Sequence, residues 1–335
     1  MTNGTSQGLF IVVAIVIFGI FVGLSYTLFG DELSPALQGL FGQSTEQAGG
    51  NLTGKIDVNV DAFREDEHFV YAKIREKNPE KNEKEVWVKA EKLEDGTLSI
   101  VGTDIQDRTY VGSYEVDDSS GIAAEGEITF PDRINNMKII GIKDNVFKYS
   151  AFTGKLRLPS HLKYLGDYAF YYAKFSGEME LPSTLIEIGD LAFDHSLFTG
   201  KLELPASLTY IGTQAFYKSK FSGDLDLPDG LNHIGQNAFI YSKFSGDLEL
   251  PSKLTYIGDD AFKFSLFSGE LVLPQDLTYV GSYAFEDSTF SGEIVLPKSL
   301  QEVGFASFRE STFTKLIKQN PDVFIDLFAF QNSKF

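Results

Sequence analysis

The side chains that could do chemistry in this sequence are its histidines and its many carboxylates. The histidines lie far apart, without the close spacing of a metal-binding pair: His68, His161, His195 and His233. The carboxylates flank leucines at a repeated position, whereas an enzyme's acid and base form a single pair in two different environments. The sequence also lacks a phosphate-binding loop, a nucleophile elbow and a zinc-protease helix motif. We therefore predict a protein that is not an enzyme and uses no cofactor and no metal.

The position of the carboxylates is set by a unit of 23 residues that recurs without drift. The same step separates seven prolines: Pro159, Pro182, Pro205, Pro228, Pro251, Pro274 and Pro297. A repeat of this length is typical of a solenoid, in which each unit buries its apolar face against its neighbours. The sequence therefore predicts a mainly β solenoid built from 23-residue coils.

A single coil can be interpreted residue by residue. In the run 246–250 leucine alternates with acid, which predicts a strand with one buried face, and Pro251 ends that strand because it has no N–H to donate. Gly258 is expected at a corner where the backbone is left-handed or crowded. Phe262 and, at the next corner, Phe267 are expected to stack on their equivalents in the neighbouring coils.

The complete pattern L-x-L-P-x-x-L-x-x-I-G-x-x-A-F-x-x-S-x-F-[ST]-G resembles the BspA-type leucine-rich repeats of bacterial surface proteins, over about residues 127–335. Where that family commonly has cysteine, this chain has a column of serines, whose hydroxyls can bond the turn backbone from coil to coil. These are Ser196, Ser219, Ser242, Ser265, Ser288 and Ser311. The resemblance implies a non-enzymatic binding or adhesion module at the cell surface, and it names no ligand.

One candidate binding surface is the fifth position after each proline, which we call the tyrosine row. Tyrosines in a row offer contact area at low entropic cost, although packing between coils explains them equally well. Glu187 and Glu302 interrupt the row. Its members are Tyr164, Tyr210, His233, Tyr256 and Tyr279.

A second candidate is the set of acids beside the strand leucines, which we call the acidic wall. Neighbouring strands lie about 4.8 Å apart, so these like charges repel, and a basic partner or divalent cations would relieve the repulsion. Solubility of an outer face is the other explanation. The wall consists of Glu178, Glu180, Glu203, Asp224, Asp226, Asp247, Glu249, Glu270 and Glu293.

Composition and charge narrow the choice of partners. A net charge of −18 argues against nucleic acid, whose phosphate backbone attracts basic patches. The absence of cysteine excludes disulfides, so stability must come from the stacked apolar coils. We expect a protein or another cell-surface ligand as the partner.

The amino terminus carries the strongest signal for location. Residues 9–29 contain no charge, and at about 1.5 Å per residue a helix of that length crosses a bilayer core. No lysine or arginine follows until Lys55, which favours an extracellular location for the bulk of the chain. A retained membrane helix is predicted, with a cleaved signal peptide as the alternative. Small residues at Gly19, Gly23 and Thr27 would let two such helices approach closely, although glycine is common in membrane helices generally.

The chain divides into four predicted segments. Residues 1–30 are the membrane helix, and residues 31–50 are a short amphipathic helix, which begins at Ser34 and Pro35, with a linker. Residues 51–126 show alternating apolar residues and an Asp95-Gly96 hairpin signal, which predicts a small β module capping the solenoid. Residues 127–335 form the solenoid itself.

Two functions from different classes fit this organisation. The first is a membrane-anchored protein of the cell surface that acts in adhesion or protein binding. The alternative is a structural subunit of a pilus-like filament or surface assembly, a homo-oligomer that polymerises through the apolar amino-terminal helix. The prepilin cleavage motif of type IV pilins is missing, and the resemblance of the repeats favours adhesion.

Deleting residues 1–50 should leave a soluble, folded β protein, because no core position of the coils lies in that segment. Far-ultraviolet circular dichroism and a cooperative thermal transition would test this. A truncated protein without a cooperative transition would refute the division into an anchor and a separate folded part.

Overall fold

The computed structural model describes residues 59–60, 63–77, 85–103, 127–150 and 153–335, whose regular structure consists of strands and turns. The segments 1–30 and 31–50, including Gly19, Gly23 and Thr27, lie outside the described residues. In the part of the chain that is described, no helix has the length and apolar character needed to cross a bilayer.

The amino-terminal strands combine an antiparallel meander, β2 to β5, with strands that join it to the solenoid. They are β1 (Asn59–Val60), β2 (Phe63–Glu65), β3 (Phe69–Lys77), β4 (Glu85–Lys92), β5 (Leu98–Thr103), β6 (Glu127–Thr129), β7 (Arg133–Ile134) and β8 (Met137–Ile142). Strands β2 to β5 pair antiparallel in order, and Gly96 has the left-handed φ of 77° in the turn between β4 and β5. The predicted hairpin at Asp95-Gly96 is therefore confirmed. Strand β5 then pairs parallel with β8, and β3 pairs with β6.

Each coil of the repeat adds one strand to each of two parallel sheets. In chain order the strands are β9 (Thr153–Gly154), β10 (Leu156–Arg157), β11 (Tyr164–Leu165), β12 (Lys174–Gly177), β13 (Glu187–Ile188), β14 (Leu197–Gly200), β15 (Tyr210–Ile211), β16 (Lys220–Gly223), β17 (His233–Ile234), β18 (Lys243–Asp247), β19 (Tyr256–Ile257), β20 (Leu266–Glu270), β21 (Tyr279–Val280), β22 (Thr289–Leu296), β23 (Glu302–Val303), β24 (Thr312–Lys318) and β25 (Phe324–Ile325). The predicted mainly β solenoid is confirmed.

The two sheets carry different side chains. The tyrosine sheet is the ladder from β8 through β11 and the odd-numbered strands to β25, in which equivalent residues of successive coils lie opposite each other, as Tyr256 does Tyr279. The serine–glycine sheet is the ladder β9, β12, β14, β16, β18, β20, β22 and β24, named for the serine or threonine and the glycine in most of its strands.

The core lies between these sheets and consists of stacked phenylalanines. Phe262 stacks on Phe285 with ring centroids 5.4 Å apart and an interplanar angle of 12°. Phe267 stacks on Phe290 and meets Phe262 edge to face at 5.7 Å. Because all four rings are fully buried, they remove a large apolar area from water in every coil. The predicted coil-to-coil stacking is confirmed.

The strand predicted for residues 246–250 lies elsewhere. The ladder in this coil is Lys243–Asp247, so it begins before Gly246 and ends where the leucine–acid alternation starts. The alternation itself is real, since Leu248 is buried and Glu249 is exposed. Alternation reports which side chains are buried and does not report which backbone groups are paired. The predicted position of the ladder was therefore wrong, and the predicted orientation of the side chains was right.

Two glycines in each coil have different functions. Gly246 lies inside β18 with φ 87°, a conformation that only glycine adopts easily. Gly258 has no left-handed φ, but a Cβ at this position would lie 2.4 Å from the backbone nitrogen of Gln236. Of the two alternatives predicted for Gly258, a left-handed or a crowded backbone, the crowded backbone is therefore correct.

The corners around the A-F pair contain left-handed residues that are not glycine, which the sequence analysis did not predict. In one coil these are Asn237 and Tyr241, with φ of 56° and 71°. A left-handed residue with a side chain costs roughly 1–2 kcal/mol. Backbone hydrogen bonds between coils offset that cost: Asn237 N donates to Asp259 O at 2.8 Å, and Tyr172 N, at the same corner of an earlier coil, donates to Asp194 O at 3.0 Å.

The buried serine column bonds from coil to coil only in part. Ser311 Oγ donates to Ser288 O at 3.1 Å, and Ser288 Oγ donates to Ser265 O at 3.3 Å. The hydroxyls of Ser242 and Ser265 are buried and make no hydrogen bond in the described structure. Ser196 Oγ and Ser219 Oγ also lie 3.3 Å apart. Bonding between coils is therefore present at both ends of the column and missing in its middle.

Replacing Gly258 with alanine should destabilise the protein by about 3 kcal/mol, because the new Cβ meets backbone atoms that cannot move aside. Gly230→Ala is the matched control, since its Cβ would lie 3.6 Å from the nearest atom, an ordinary contact, and should change stability by about 0.5 kcal/mol or less. Denaturant unfolding would measure both. Equal effects of the two substitutions would contradict the proposed close approach of the coils.

Candidate binding surfaces

Four members of the tyrosine row form one continuous stack of rings. The centroid distances are 4.6 Å from Tyr210 to His233, 4.6 Å from His233 to Tyr256 and 5.0 Å from Tyr256 to Tyr279, with the rings nearly parallel. Each side chain is partly buried by its neighbours and partly open to solvent. Tyr164 lies apart from this stack and is 46% exposed. The stacked rings therefore pack between coils and also leave part of their surface accessible to solvent.

Distances between equivalent rings show on which side of the coil stack the tyrosine row lies. Successive coils are related by one screw operation, and points nearer its axis are displaced less. Within a single pair of coils the centroid displacements are 5.0 Å for Tyr256–Tyr279, 5.4 Å for Phe262–Phe285 and 6.4 Å for Phe267–Phe290. The tyrosine row consequently lies on the concave side, and the serine–glycine sheet lies on the convex side.

The row contains a further aromatic residue that the proline spacing missed. Phe324 lies opposite Glu302 in the tyrosine sheet and is 57% exposed. Pro321 follows Pro297 by 24 residues and is not equivalent to the earlier prolines, so counting five positions from it leads to Asp326 instead. The step of 22 residues from Phe308 to Phe330, applied to Glu302, identifies Phe324.

Carboxylates surround the tyrosine row. Tyr279 donates its hydroxyl to Asp259 Oδ1 at 2.9 Å. Burial, followed by that hydrogen bond, raises the pKa of Tyr279 well above its ordinary value. Burial also raises the pKa of Tyr210, and the charges of Asp190 and Glu187 act in the same direction. The phenols therefore stay protonated, and the Tyr279 hydroxyl is already committed as a donor to Asp259.

Three carboxylates near the row, those of Asp144, Asp167 and Asp190, form a ladder of hydrogen bonds. Asp144 Oδ1 accepts the N–H of Asp167 at 2.9 Å, Asp167 Oδ1 accepts that of Asp190 at 2.8 Å, and Asp190 Oδ1 accepts that of Thr213 at 2.7 Å. Burial raises the pKa of Asp167, the charges of Asp190 and Asp144 add to the effect, and the hydrogen bond from Asp190 opposes it. The ladder holds the corners of successive coils together next to the aromatic stack.

The acidic wall lies on the other side of the molecule. All nine of its carboxylates are exposed, and they follow the glycines of the serine–glycine sheet. Lys201 Nζ binds Asp226 Oδ2 at 3.1 Å. Because the tyrosine row belongs to a separate sheet, the structure does not bring the two candidate surfaces together.

A cluster at the A-F corner was not anticipated by the sequence. His195 stacks on Tyr172 with centroids 3.9 Å apart, its Nδ1 contacts Asp194, and its Nε2 lies 2.9 Å from Lys218 Nζ. Burial raises the pKa of Asp194, and the neighbouring His195 and Lys218 oppose that rise. Within the described residues no three histidine, aspartate or glutamate side chains are placed to hold a metal ion.

Stability should depend on pH through His233, which lies between two tyrosine rings. Burial lowers the pKa of His233 below its ordinary value of 6.5, so the unfolded chain binds the proton more readily than the folded protein does. Stability from this group is present at high pH and is lost as pH falls through 6.5. His233→Tyr keeps the stack and removes the titration, so the free energies of unfolding of variant and wild type should diverge below that pH. Parallel curves from pH 8 to pH 5 would refute this assignment.

The repeats match a known family of sequences. The profile described as "BspA type Leucine rich repeat region" matches residues 140–268 and 268–335, in six copies. No curated protein matches the chain. Among solved structures, a leucine-rich cell surface protein from Faecalibacterium prausnitzii A2-165 has a TM-score of 0.45 and 16% identity, covering 79% of this chain and 76% of its own. A leucine-rich repeat protein from Bacteroides ovatus ATCC 8483 has a TM-score of 0.40 and 18% identity, covering 78% of this chain and 66% of its own. Since the profile matches more than half of the sequence, this chain belongs to the BspA-type leucine-rich repeat family.

Proposed function

We propose that this protein is a non-catalytic binding or adhesion protein of the cell surface, anchored in a membrane by residues 9–29 with the bulk of the chain outside. The observation that carries the proposal is the aromatic stack from Tyr210 to Tyr279 on the concave side of the coils. Concave surfaces of stacked repeats are the surfaces with which such proteins commonly bind their partners.

The stack is suited to a protein ligand. Tyrosine is enriched at protein interfaces because it combines apolar area with a hydrogen-bonding tip. Here each ring is already fixed by its neighbours, so binding orders few additional side chains. The carboxylates of Glu187, Asp190 and Glu302 favour a ligand that brings positive charge to the same surface.

The membrane anchor and the β module that caps the solenoid are proposals that rest on different evidence. The anchor rests on the uncharged sequence 9–29 and on the scarcity of basic residues after it. The cap, within residues 51–126, is supported by the parallel pairing of β5 with β8 and by the complete burial of Leu98 and Ile100. A terminal coil needs such a covering because its apolar edge would otherwise face water.

Adhesion of coated beads tests the proposed surface. Beads carrying the full-length protein would be washed over cells and over immobilised extracellular-matrix proteins, beside beads carrying the triple variant Tyr210→Ser, Tyr256→Ser, Tyr279→Ser. Loss of several central aromatic contacts should reduce retention by about tenfold or more. Tyr241→Ser is the matched control, because Tyr241 is a tyrosine that is 47% exposed but lies outside the row.

Thermal unfolding of the same variants would show whether they remain folded. If the folded triple variant is retained as well as the wild type, the tyrosine row is not the binding surface. A loss that follows Glu180→Gln and Glu249→Gln instead would assign binding to the acidic wall.

A further inference from the structure

A strip of exposed apolar and basic side chains follows one flank of the solenoid, at the corner after the A-F pair. We call it the corner strip, and it consists of the residues two and four positions after the phenylalanine of that pair, from Tyr172 to Leu266. The residue between these two positions is fully buried in each coil of the strip, so the side chains on either side of it face outward. The apolar members are 38% to 57% exposed: Tyr172, Leu197, Tyr241, Phe264 and Leu266. The other members are Lys174, His195, Lys218, Lys220 and Lys243.

The fold does not require apolar residues at this corner. In the next two coils Asp287 and Glu310 occupy the first of the two positions with a left-handed φ of 76° and 79°, close to the 71° of Tyr241 and the 72° of Phe264. A left-handed backbone suits asparagine and aspartate better than bulky side chains. Exposed rings at a position whose backbone disfavours them indicate a function rather than a contribution to folding.

Contacts between coils join the rings of the strip into a contiguous surface. Tyr172 stacks on His195 with ring centroids 3.9 Å apart, and Tyr241 stacks on Phe264 at 5.3 Å. Isolated apolar side chains on a surface need no explanation, whereas a contiguous apolar patch marks a site of interaction. The corner strip is therefore a candidate contact surface.

The strip is basic although the whole chain has a net charge of −18. It contains no aspartate or glutamate. Among the residues that the structure describes, Lys174, Lys220 and Lys243 make no ion pair with a carboxylate. The carboxylates of the acidic wall lie beyond the left-handed glycines, four or more residues further along each coil. The strip consequently combines apolar area with positive charge.

We propose that the corner strip lies against the surface of a phospholipid membrane. Its rings and leucines enter the boundary between headgroups and acyl chains, the depth at which tyrosine is enriched in membrane proteins. Its lysines keep their apolar stems along the same surface and direct their ammonium groups to the lipid phosphates. Anionic lipids strengthen the contact, because each lysine near the surface is attracted to them.

Composition favours a membrane over two other partners that could contact lysines and apolar side chains. An acidic polysaccharide would pair with the lysines but would leave Leu197 and Leu266 in water. A folded acidic protein would need its charged and apolar groups in a fixed register, whereas the second position of the strip shows no regular order: Lys174, Leu197, Lys220, Lys243 and Leu266. A fluid bilayer needs no register, since lipids rearrange around the side chains that they meet.

The position of the corner also suits a flat partner. The corner connects the tyrosine sheet on the concave side with the serine–glycine sheet on the convex side. It therefore lies on the flank of the curved stack, where curvature does not lift the outer coils away from a plane. The inference rests on this surface alone and not on the tyrosine row or on an anchor at residues 9–29, which would only bring the strip near a bilayer.

Labels on single introduced cysteines test the contact, since the natural chain has no cysteine. Full-length L266C protein carrying a nitrobenzoxadiazole label would be reconstituted with vesicles of phosphatidylcholine and phosphatidylglycerol. Its emission should shift to shorter wavelength, and lipids with brominated acyl chains should quench it. Val272→Cys is the matched control: Val272 follows in the same coil and is 77% exposed but lies outside the strip, so its label should stay in water.

Charge reversal tests the lysines of the strip. In the protein labelled at residue 266, Lys220→Glu with Lys243→Glu should lower the ratio of membrane-bound to water-exposed label by about tenfold or more, because two attractive charges become repulsive. High salt should lower the same ratio by screening. Lys253→Glu with Lys298→Glu is the matched control, since it makes the same change in net charge at exposed lysines outside the strip and should leave the ratio unchanged.

Three outcomes would each overturn the proposal. The first is the same emission from labels at residues 266 and 272 with vesicles in excess, and the second is an unchanged ratio in the charge-reversal variant. The third is a response of the label at residue 266 to soluble polygalacturonate but not to vesicles, which would assign the strip to an acidic polysaccharide. Flotation of the vesicles reports separately on the proposed anchor, so a failure of the anchor and a failure of the strip are distinguishable.

Discussion

The close approach of successive coils at the I-G step is the constraint on which the other features of the solenoid depend. At Gly258 the backbones of two coils are so near that a single Cβ would lie 2.4 Å from Gln236 N. This approach allows Gly258 N to donate to Ile234 O at 2.8 Å and brings Tyr256, two residues earlier, within ring-stacking distance of His233. The tyrosine row therefore exists as a continuous stack because the glycine column beside it has no side chains.

The period of the sequence predicted those features that repeat in side-chain type. Phe262 and Phe267 were expected to stack because a fixed spacing places equivalent residues above each other, and both do so. The same fixed spacing identified the residues of the tyrosine row and of the acidic wall. It could not decide whether the row was packed or exposed, because stacking on neighbours and facing solvent require the same residues at the same spacing.

Features that depend on the backbone were harder to predict. The ladder Lys243–Asp247 contains a left-handed glycine, and the alternation of leucine with acid begins only where that ladder ends. Asn237 adopts a left-handed angle although it is not glycine, and its N–H donates to Asp259 O of the next coil, a contact that the sequence alone does not reveal. His195 looked isolated in the sequence, yet its partners Tyr172 and Lys218 come from the preceding and the following coil.

Curvature separates the two sheets of the solenoid. A screw operation that displaces Tyr256 by 5.0 Å and Phe267 by 6.4 Å makes the tyrosine sheet concave and the serine–glycine sheet convex. A concave surface can surround a ligand, so a row of aromatic rings there gains contact on several coils at once. One repeated unit thus provides an aromatic surface and a charged surface on opposite sides, and the placement of its glycines determines the geometry of both.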